Sequence, residues 1–139
     1  MQTIFVYGTL LFPEVLSIVM NRQVTEAAYR PATIADFRRM QFADIFPVIR
    51  RQPGDTVTGA VIHGISDAEL RHLDFFESDL YIREQVEVVV DSKPLLAFAY
   101  VDPRQGGEEN AREWDQEAFR VEHLVSYLTD ATHWMQKFR

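Results

Sequence analysis

The sequence predicts an α+β fold in which a mixed, barrel-like sheet is flanked by helices. Three helical patterns lie among at least five short β-rich segments. Two of these segments, residues 81–90 and 95–101, are separated only by the turn signal Ser92-Lys93-Pro94, so they should pair antiparallel. A doubly wound parallel sheet is therefore disfavoured, because its strands are joined by helices.

The first part of the chain is predicted to hold three strands and one helix. Residues 3–7 (TIFVY) are apolar and β-rich, which is typical of a buried strand. Pro13 can open a helix, and the pattern that follows it is helical. A weak strand pattern covers residues 32–42, and a clearer one covers residues 56–65 after the turn signal Pro53-Gly54-Asp55.

The middle of the chain carries a strong helix-start signal. Ser66 and Glu69 match a capping box, in which each side chain pairs with the backbone N–H of the other residue. A helix should begin there and run to about Phe76. Residues 102–112 (DPRQGGEENAR) are polar and contain two glycines, which indicates an exposed loop.

A final helix is predicted after Asp115, whose side chain can cap it. Trp114 and Phe119 have the spacing of a hydrophobic staple around this cap. The apolar stripe of the helix is predicted to consist of Val121, Leu124, Val125 and Leu128. The pattern leaves the structure of the tail beyond Asp130 open.

Composition and charge disfavour several classes of function. The 139 residues fit one domain, which we place at 1–139. A net charge of −7 disfavours nucleic-acid binding, and no basic amphipathic stretch indicates a membrane surface. The chain has no cysteine, so disulfides, thiolate catalysis and cysteine-bound metal are excluded. No signal peptide is recognised, so we expect a cytoplasmic protein, whose oligomeric state the sequence does not indicate.

Glu77 is the most informative single residue. Leu70, Leu73, Asp74 and Glu77 follow the spacing of one helix face, and the leucines should turn that face inward. Burial and the negative end of the helix dipole would both raise the pKa of the Glu77 carboxyl. A carboxyl whose pKa approaches neutrality can shuttle protons. The alternative is a solvated glutamate on a frayed last turn.

The segment Tyr7-Gly8-Thr9-Leu10 is the second candidate. It follows the first predicted strand and precedes the first helix, and its glycine allows close approach of the backbone to a ligand. Free backbone N–H groups in such a turn can hold a carboxylate or a carbonyl oxygen. One glycine is equally compatible with an ordinary turn.

Other patterns favour structural roles. Asp74 and Glu77 could form a glycosidase-like carboxylate pair, but a capping or solvated Asp74 is favoured because no second acidic cluster supports the pair. No metal site is predicted, because the histidines lack the spacing of ligands. These are His63, His72, His123 and His133. Four aromatic residues could line a pocket but are assigned to the core. They are Tyr100, Trp114, Phe119 and Tyr127.

Two motifs, found in order along the chain, resemble a known family. Residues 5–10 (FVYGTL) are similar to the YG(S/T)L signature of the γ-glutamylcyclotransferase-like (AIG2-like) family. Residues 73–83, with LDFFE followed by YIR, resemble the L-D-x-x-E…Y-x-R block of that family. The segment Phe46-Pro47-Val48-Ile49, the strand that contains Val57 and Gly59, and residues 113–119 add to the resemblance.

The resemblance implies a small mixed, mostly antiparallel β-barrel with flanking helices, and an intramolecular aminolysis. The α-amino group of a γ-glutamyl unit attacks its own γ-carbonyl, which releases 5-oxoproline and a free amine without a cofactor or metal. By the same resemblance, Glu77 is the catalytic acid/base and the backbone of residues 7–10 holds the glutamyl head or its oxyanion. Arg83 matches the family arginine, which would either pair with Glu77 or support the fold.

The leaving amine is left open by the sequence. Members of the family act on γ-glutamyl amino acids, on γ-glutamyl-ε-lysine or on glutathione. A non-catalytic small-molecule-binding or interaction protein on the same fold is an alternative, and a carboxylate-dependent amide hydrolase is a third possibility. Cyclisation yields 5-oxoproline, hydrolysis yields glutamate, and a binding protein yields neither.

Overall fold

A computed structural model of the protein describes residues 1–41, 47–104 and 112–138. The strands are β1 (Gln2–Val6), β2 (Arg30–Gln41), β3 (Pro47–Ile65), β4 (Ile82–Val90) and β5 (Lys93–Val101). The helices are α1 (Pro13–Met20), α2 (Asp67–Glu77), α3 (Gln116–Glu122) and α4 (Leu124–Phe138). None of the helices in these segments is both long and apolar enough to cross a membrane.

The five strands form one closed sheet in the order β1-β3-β2-β4-β5. The neighbouring strands pair antiparallel, except that β1 runs parallel to β5, where Ile4 lies opposite Phe98. The predicted α+β class and the mostly antiparallel, mixed sheet with flanking helices are confirmed.

The turn predicted at Pro53-Gly54-Asp55 is wrong, because β3 runs through these residues without a break. Strand β2 pairs with β3 along its whole length. The register of this pairing shifts between Ala35 and Phe37. At this shift Asp36 has a φ of 66° and its carboxylate accepts a hydrogen bond of 3.0 Å from the N–H of Gly54, whose own φ is 90°. The turn-forming residues therefore make a bulge instead of a reversal.

The hairpin between β4 and β5 is confirmed, but its turn lies earlier than predicted. The turn residues are Asp91 and Ser92, with φ values of 51° and 65°. Positive φ at both central residues gives the twist that a two-residue hairpin requires. Lys93 and Pro94 already belong to β5, where they pair with Val90 and Val89.

The core has two layers that meet at β1. Phe5 and Val61 belong to a cluster built from the inner faces of the five strands. Ile4, Val6 and Leu73 belong to a second cluster between the outer face of the sheet and the helices. Because successive side chains of a strand point to opposite faces, β1 is buried on both sides. This explains why its sequence is an unbroken apolar run.

The capping residues predicted for the N-termini of two helices are confirmed. The Ser66 hydroxyl accepts a hydrogen bond from the N–H of Glu69, and the Glu69 carboxylate accepts one from the N–H of Ser66. The Asp115 carboxylate caps α3 by accepting from the N–H of Ala118. The staple residues on either side of this cap pack with ring centres 5.8 Å apart.

The predicted apolar stripe of the final helix is only partly correct. A break at His123 separates α3 from α4 and shifts the helical phase, so Val121 and Val125 are 76% and 82% exposed. The buried side of α4 consists of Leu124, Tyr127, Ala131 and Met135. This helix continues beyond Asp130 to Phe138, where the sequence predicted no element, and it packs against α1 and α2.

Parts of three sequence predictions lie outside the described residues. They are Phe42 at the end of the second strand, Phe46 of the FPVI segment, and residues 105–111 of the predicted exposed loop.

Candidate active site

A cavity of about 460 Å³ lies where the end of β1 meets the C-terminal end of α2 and the helix α4. Its walls are formed by residues 5–10, Pro47, residues 75–78, Leu80, Tyr81, Tyr100, Tyr127, Trp134 and Lys137. The cavity therefore brings together all the residues that the sequence singled out for a site, namely Tyr7, Gly8, Thr9, Leu10 and Glu77.

The segment after β1 presents its backbone to this cavity. Thr9–Leu11 form one turn of 3-10 helix, in which the N–H of Leu11 donates to the carbonyl of Gly8 over 2.9 Å. Within the described residues, the N–H groups of Gly8, Thr9 and Leu10 donate to no protein acceptor. A Cβ at position 8 would lie 2.2 Å from Cγ of Pro47, so the glycine is required by the approach of Pro47.

Three tyrosine hydroxyls around the cavity are engaged with the protein. The hydroxyl of Tyr7 donates to the carbonyl of Tyr100 over 2.6 Å, and the hydroxyl of Tyr100 donates to the carboxylate of Asp74 over 2.7 Å. The hydroxyl of Tyr81 donates to the carbonyl of Pro47 over 3.0 Å. These bonds fix the rings, so the wall has a defined shape before any ligand enters.

The phenols stay neutral at physiological pH. Burial raises the pKa of Tyr7, Tyr81, Tyr100 and Tyr127, and the negative charge of the nearby Glu77 adds to the rise in each case. A hydrogen bond with the side chain of Thr9 acts in the opposite direction on Tyr127. The tyrosines therefore contribute apolar ring faces and no charge.

Glu77 is the last residue of α2, and its partly buried side chain lines the cavity. Burial raises the pKa of its carboxyl to about 8, which is the direction that the helix pattern predicts. The carboxyl takes part in no hydrogen bond or ion pair with any residue in the described segments of the chain. A carboxyl of this kind can accept a proton near neutral pH and return it.

Arg83 does not pair with Glu77, which decides between the two roles left open for it. Its guanidinium binds the carboxylate of Asp74, with Nη1 and Oδ2 3.0 Å apart, and its Cζ lies 5.1 Å from the centre of the Phe98 ring. Asp74 thus accepts hydrogen bonds from Arg83 and Tyr100. Through these two partners Asp74 supports the wall of the cavity.

The chain turns sharply directly after Glu77. Ser78 has a φ of 63° and a ψ of −167°, a conformation that is found almost only in glycine. Its N–H donates to the carbonyl of Asp74, which closes the last turn of α2. Backbone strain is thus stored beside the carboxyl that faces the cavity.

Sequence reasoning found one side of the cavity and missed the other. Of the aromatic residues assigned to the core, Trp114 and Phe119 do lie there, whereas Tyr100 and Tyr127 also line the cavity. Trp134 was missed because no element was predicted beyond Asp130, although it continues the spacing of Tyr127 and Ala131. The other lining residues that were not predicted for the site are Phe5, Val6, Pro47, Phe75, Phe76, Ser78, Leu80, Tyr81 and Lys137.

The described segments hold no cluster of three or more His, Asp or Glu side chains that could bind a metal ion.

The chain matches a known protein family over most of its length. Residues 4–119 match the model of the family described as gamma-glutamyl cyclotransferase, AIG2-like. The protein belongs to this family, which includes enzymes. The γ-glutamylcyclotransferase-like fold that the two sequence motifs imply is thereby confirmed.

Individual relatives agree with this assignment. AIG2-like protein D of Arabidopsis thaliana is 33% identical over 132 residues, which cover 92% of this chain and 85% of the relative. A solution structure of an Arabidopsis thaliana protein matches with a TM-score of 0.70 and 30% identity, covering 93% of this chain and 78% of the other. A structure described as gamma-glutamyl cyclotransferase shares the fold, with a TM-score of 0.56, 16% identity, and coverage of 94% and 85%.

Proposed function

We propose that residues 1–139 form a single-domain γ-glutamylcyclotransferase-type enzyme. It would release 5-oxoproline and a free amine from a γ-glutamyl amine or γ-glutamyl amino acid. The observation that carries this proposal is the Glu77 carboxyl, which lines an apolar cavity without a partner among the described residues and has a pKa of about 8.

Glu77 would move one proton in each turnover. The α-amino group of the substrate enters as an ammonium and must lose a proton before its nitrogen can attack. Glu77 accepts that proton, and the nitrogen then forms a bond to the γ-carbonyl carbon. As the bond from this carbon to the leaving nitrogen breaks, Glu77 gives the proton to the departing amine. The attacking nitrogen loses its second proton to water as it becomes the lactam N–H, and the free amine takes up one proton from water. A pKa near neutrality suits a group that acts first as base and then as acid.

Binding of the substrate would itself prepare Glu77 for this role. A positive ammonium beside the carboxyl favours its ionised form and so lowers its pKa in the complex. Once the substrate has displaced water from the cavity, the apolar wall strengthens the attraction between the two charges, because little water is left to screen them.

The backbone of residues 7–10 would stabilise the charge that develops on the γ-carbonyl oxygen. The N–H groups of Gly8, Thr9 and Leu10 have no acceptor among the described residues and line the same cavity as Glu77. Donors fixed by the fold cost no reorganisation when the oxyanion forms. The neutral rings of Tyr7 and Tyr100 would hold the glutamyl chain folded, so that nitrogen and carbonyl meet.

Product analysis tests the proposal directly. The purified protein is incubated with a panel of γ-glutamyl amino acids and γ-glutamyl amines, and the products are identified by mass spectrometry. Glu77→Gln removes the acid/base, and Glu87→Gln is the matched control because Glu87 is exposed on β4. We expect 5-oxoproline with the wild type and Glu87→Gln, and a loss of at least about 100-fold in kcat with Glu77→Gln.

Each other product would point to a different function. Glutamate in place of 5-oxoproline would make the protein an amide hydrolase. Binding of a γ-glutamyl ligand without any product would make it a binding protein. Full activity of Glu77→Gln would refute the role of the carboxyl while leaving the reaction in place.

A further inference from the structure

The cavity has two zones that differ in exposure. Tyr7, Leu10 and Tyr100, which are 7%, 5% and 4% exposed, lie in an inner zone together with Thr9 and Tyr127. An outer zone, toward solvent, consists of Phe75, Leu80, Trp134 and Lys137. Glu77 lines the same cavity and is more buried than every residue of the outer zone.

The proposed function assigns the glutamyl head to the inner zone. The head must reach both Glu77 and the backbone of residues 7–10, and the leaving amine is attached to the γ-carbonyl carbon, at the other end of the glutamyl unit from the α-amino group. The leaving group therefore points toward the outer zone. The chemistry of the outer zone then decides which amine the enzyme accepts.

The outer zone combines apolar side chains with one positive charge. Phe75, Leu80 and Trp134 are 39%, 55% and 37% exposed, so each offers apolar surface that a ligand can cover. Lys137 forms no ion pair with a carboxylate of the described residues. Burying a large apolar group here would be favourable, and an ammonium would meet repulsion from Lys137.

Trp134 and Lys137 come from a different part of the chain than the proposed catalytic residues. They are three residues apart on α4, so they share one face of the helix. Both lie beyond residues 4–119, which match the family model, whereas Glu77 and residues 7–10 lie within them. The part of the cavity that faces the leaving group is thus built partly from sequence outside the family pattern.

We propose that the outer zone selects γ-glutamyl derivatives of amino acids with a large apolar side chain, and that Lys137 binds the carboxylate of that amino acid. The apolar side chain would cover Trp134, Phe75 and Leu80. The inference rests on the proposed function, because it takes the position of the glutamyl head from the role of Glu77.

Three substrates separate the two features of the leaving group. γ-Glutamyl-phenylalanine carries both the ring and the carboxylate, γ-glutamyl-alanine lacks the ring, and γ-glutamyl-phenethylamine lacks the carboxylate. Release of 5-oxoproline gives kcat/KM for each substrate with the wild type, Lys137→Met and Lys137→Arg. Lys93→Met is the matched control, because Lys93 is the other lysine of the sequence and lies in the β4–β5 hairpin, away from the cavity.

The expected pattern follows from the size of each contact. The kcat/KM of the wild type should be at least about tenfold higher for γ-glutamyl-phenylalanine than for γ-glutamyl-alanine, because added apolar groups raise kcat/KM by that factor when an apolar pocket binds them. Its kcat/KM should be about two- to fivefold higher for γ-glutamyl-phenylalanine than for γ-glutamyl-phenethylamine, because this is the size of the contribution that an exposed ion pair makes. This second preference should vanish in Lys137→Met, persist in Lys93→Met and return in Lys137→Arg.

Two results would overturn the inference while the cyclotransferase activity stands. In the first, γ-glutamyl-alanine is turned over as well as γ-glutamyl-phenylalanine. In the second, Lys137→Met lowers kcat/KM for γ-glutamyl-phenylalanine and γ-glutamyl-phenethylamine equally, which would place Lys137 on the glutamyl head. If no substrate yields 5-oxoproline, the proposed function fails. The inference about the outer zone is then tested by measuring the affinities of the same three compounds for the protein by calorimetry. Equal affinities would overturn it, and the same order of preference would support it.

Discussion

Replacing Glu77 with glutamine should stabilise the protein in alkaline solution and leave its stability nearly unchanged in mildly acidic solution. Burial raises the pKa of Glu77 in the folded protein to about 8, against an ordinary value of 4.5. Between these two pH values the folded protein holds the proton more tightly than the unfolded chain does. This contribution to the free energy of unfolding is complete below about pH 4.5 and is lost as the pH rises through about 8.

The size of the effect follows from the same two pKa values. Each unit of difference between the folded and unfolded pKa corresponds to about 1.4 kcal/mol, so ionised Glu77 destabilises the fold by at most about 5 kcal/mol. Solvent in the cavity reaches the partly exposed carboxyl and screens its charge, so about 2 to 3 kcal/mol is expected at pH 9. Glutamine does not ionise and avoids this cost.

Urea denaturation of the wild type and Glu77→Gln at pH values from 5 to 9 measures this effect. The difference in the free energy of unfolding between the two proteins should be within about 0.5 kcal/mol at pH 5 and should grow steadily toward pH 9. Glu87→Gln controls for the loss of one surface carboxylate. A difference that stays constant across the pH range would refute the claim that Glu77 is held in an environment that disfavours its charge.

Two further substitutions test the wall of the cavity, and a third tests a buried ion pair between β3 and the residue that follows β5. Gly8→Ala should cost about 1 to 3 kcal/mol and lower 5-oxoproline release, because the new Cβ would lie 2.2 Å from Cγ of Pro47; thermal melting and product assays report both. Ser78→Gly should raise the free energy of unfolding, measured in urea, by about 1 kcal/mol, because glycine adopts a φ of 63° without strain. An unchanged free energy of unfolding would contradict the claim that Ser78 is strained. Asp102→Asn should cost about 3 kcal/mol in the same assay, because it removes a buried negative charge that pairs with Arg50 over 3.0 Å and with Arg104 over 2.9 Å; a cost below about 1 kcal/mol would contradict this.

The helix that carries Glu77 could be predicted from sequence because its signals are local. The capping box at Ser66 and Glu69 fixes the start of α2, and the spacing from Leu70 and Leu73 to Glu77 fixes the face that turns inward. Both features depend on residues within three turns of one helix, so no knowledge of the rest of the fold was needed.

The errors arose where distant parts of the chain decide the outcome. Gly54 carries the sequence of a turn, yet pairing with β2 forces it into a continuous strand with a bulge opposite Asp36. The break at His123 has no glycine or proline to mark it in the sequence, and it moves Val121 and Val125 to the surface. Trp134 and Lys137 of the outer zone were missed for the same reason, since their place in the cavity depends on how α4 packs against α1 and α2.

The different surroundings of the two tryptophans give the protein a built-in optical probe. Trp114 is 2% exposed in the core, whereas Trp134 is 37% exposed at the rim of the cavity. A Trp114→Phe variant would leave the indole at the rim as the sole tryptophan fluorophore. Its emission would shift to shorter wavelength when a ligand displaces water from it, so occupancy could be followed in real time, even for compounds that undergo no reaction.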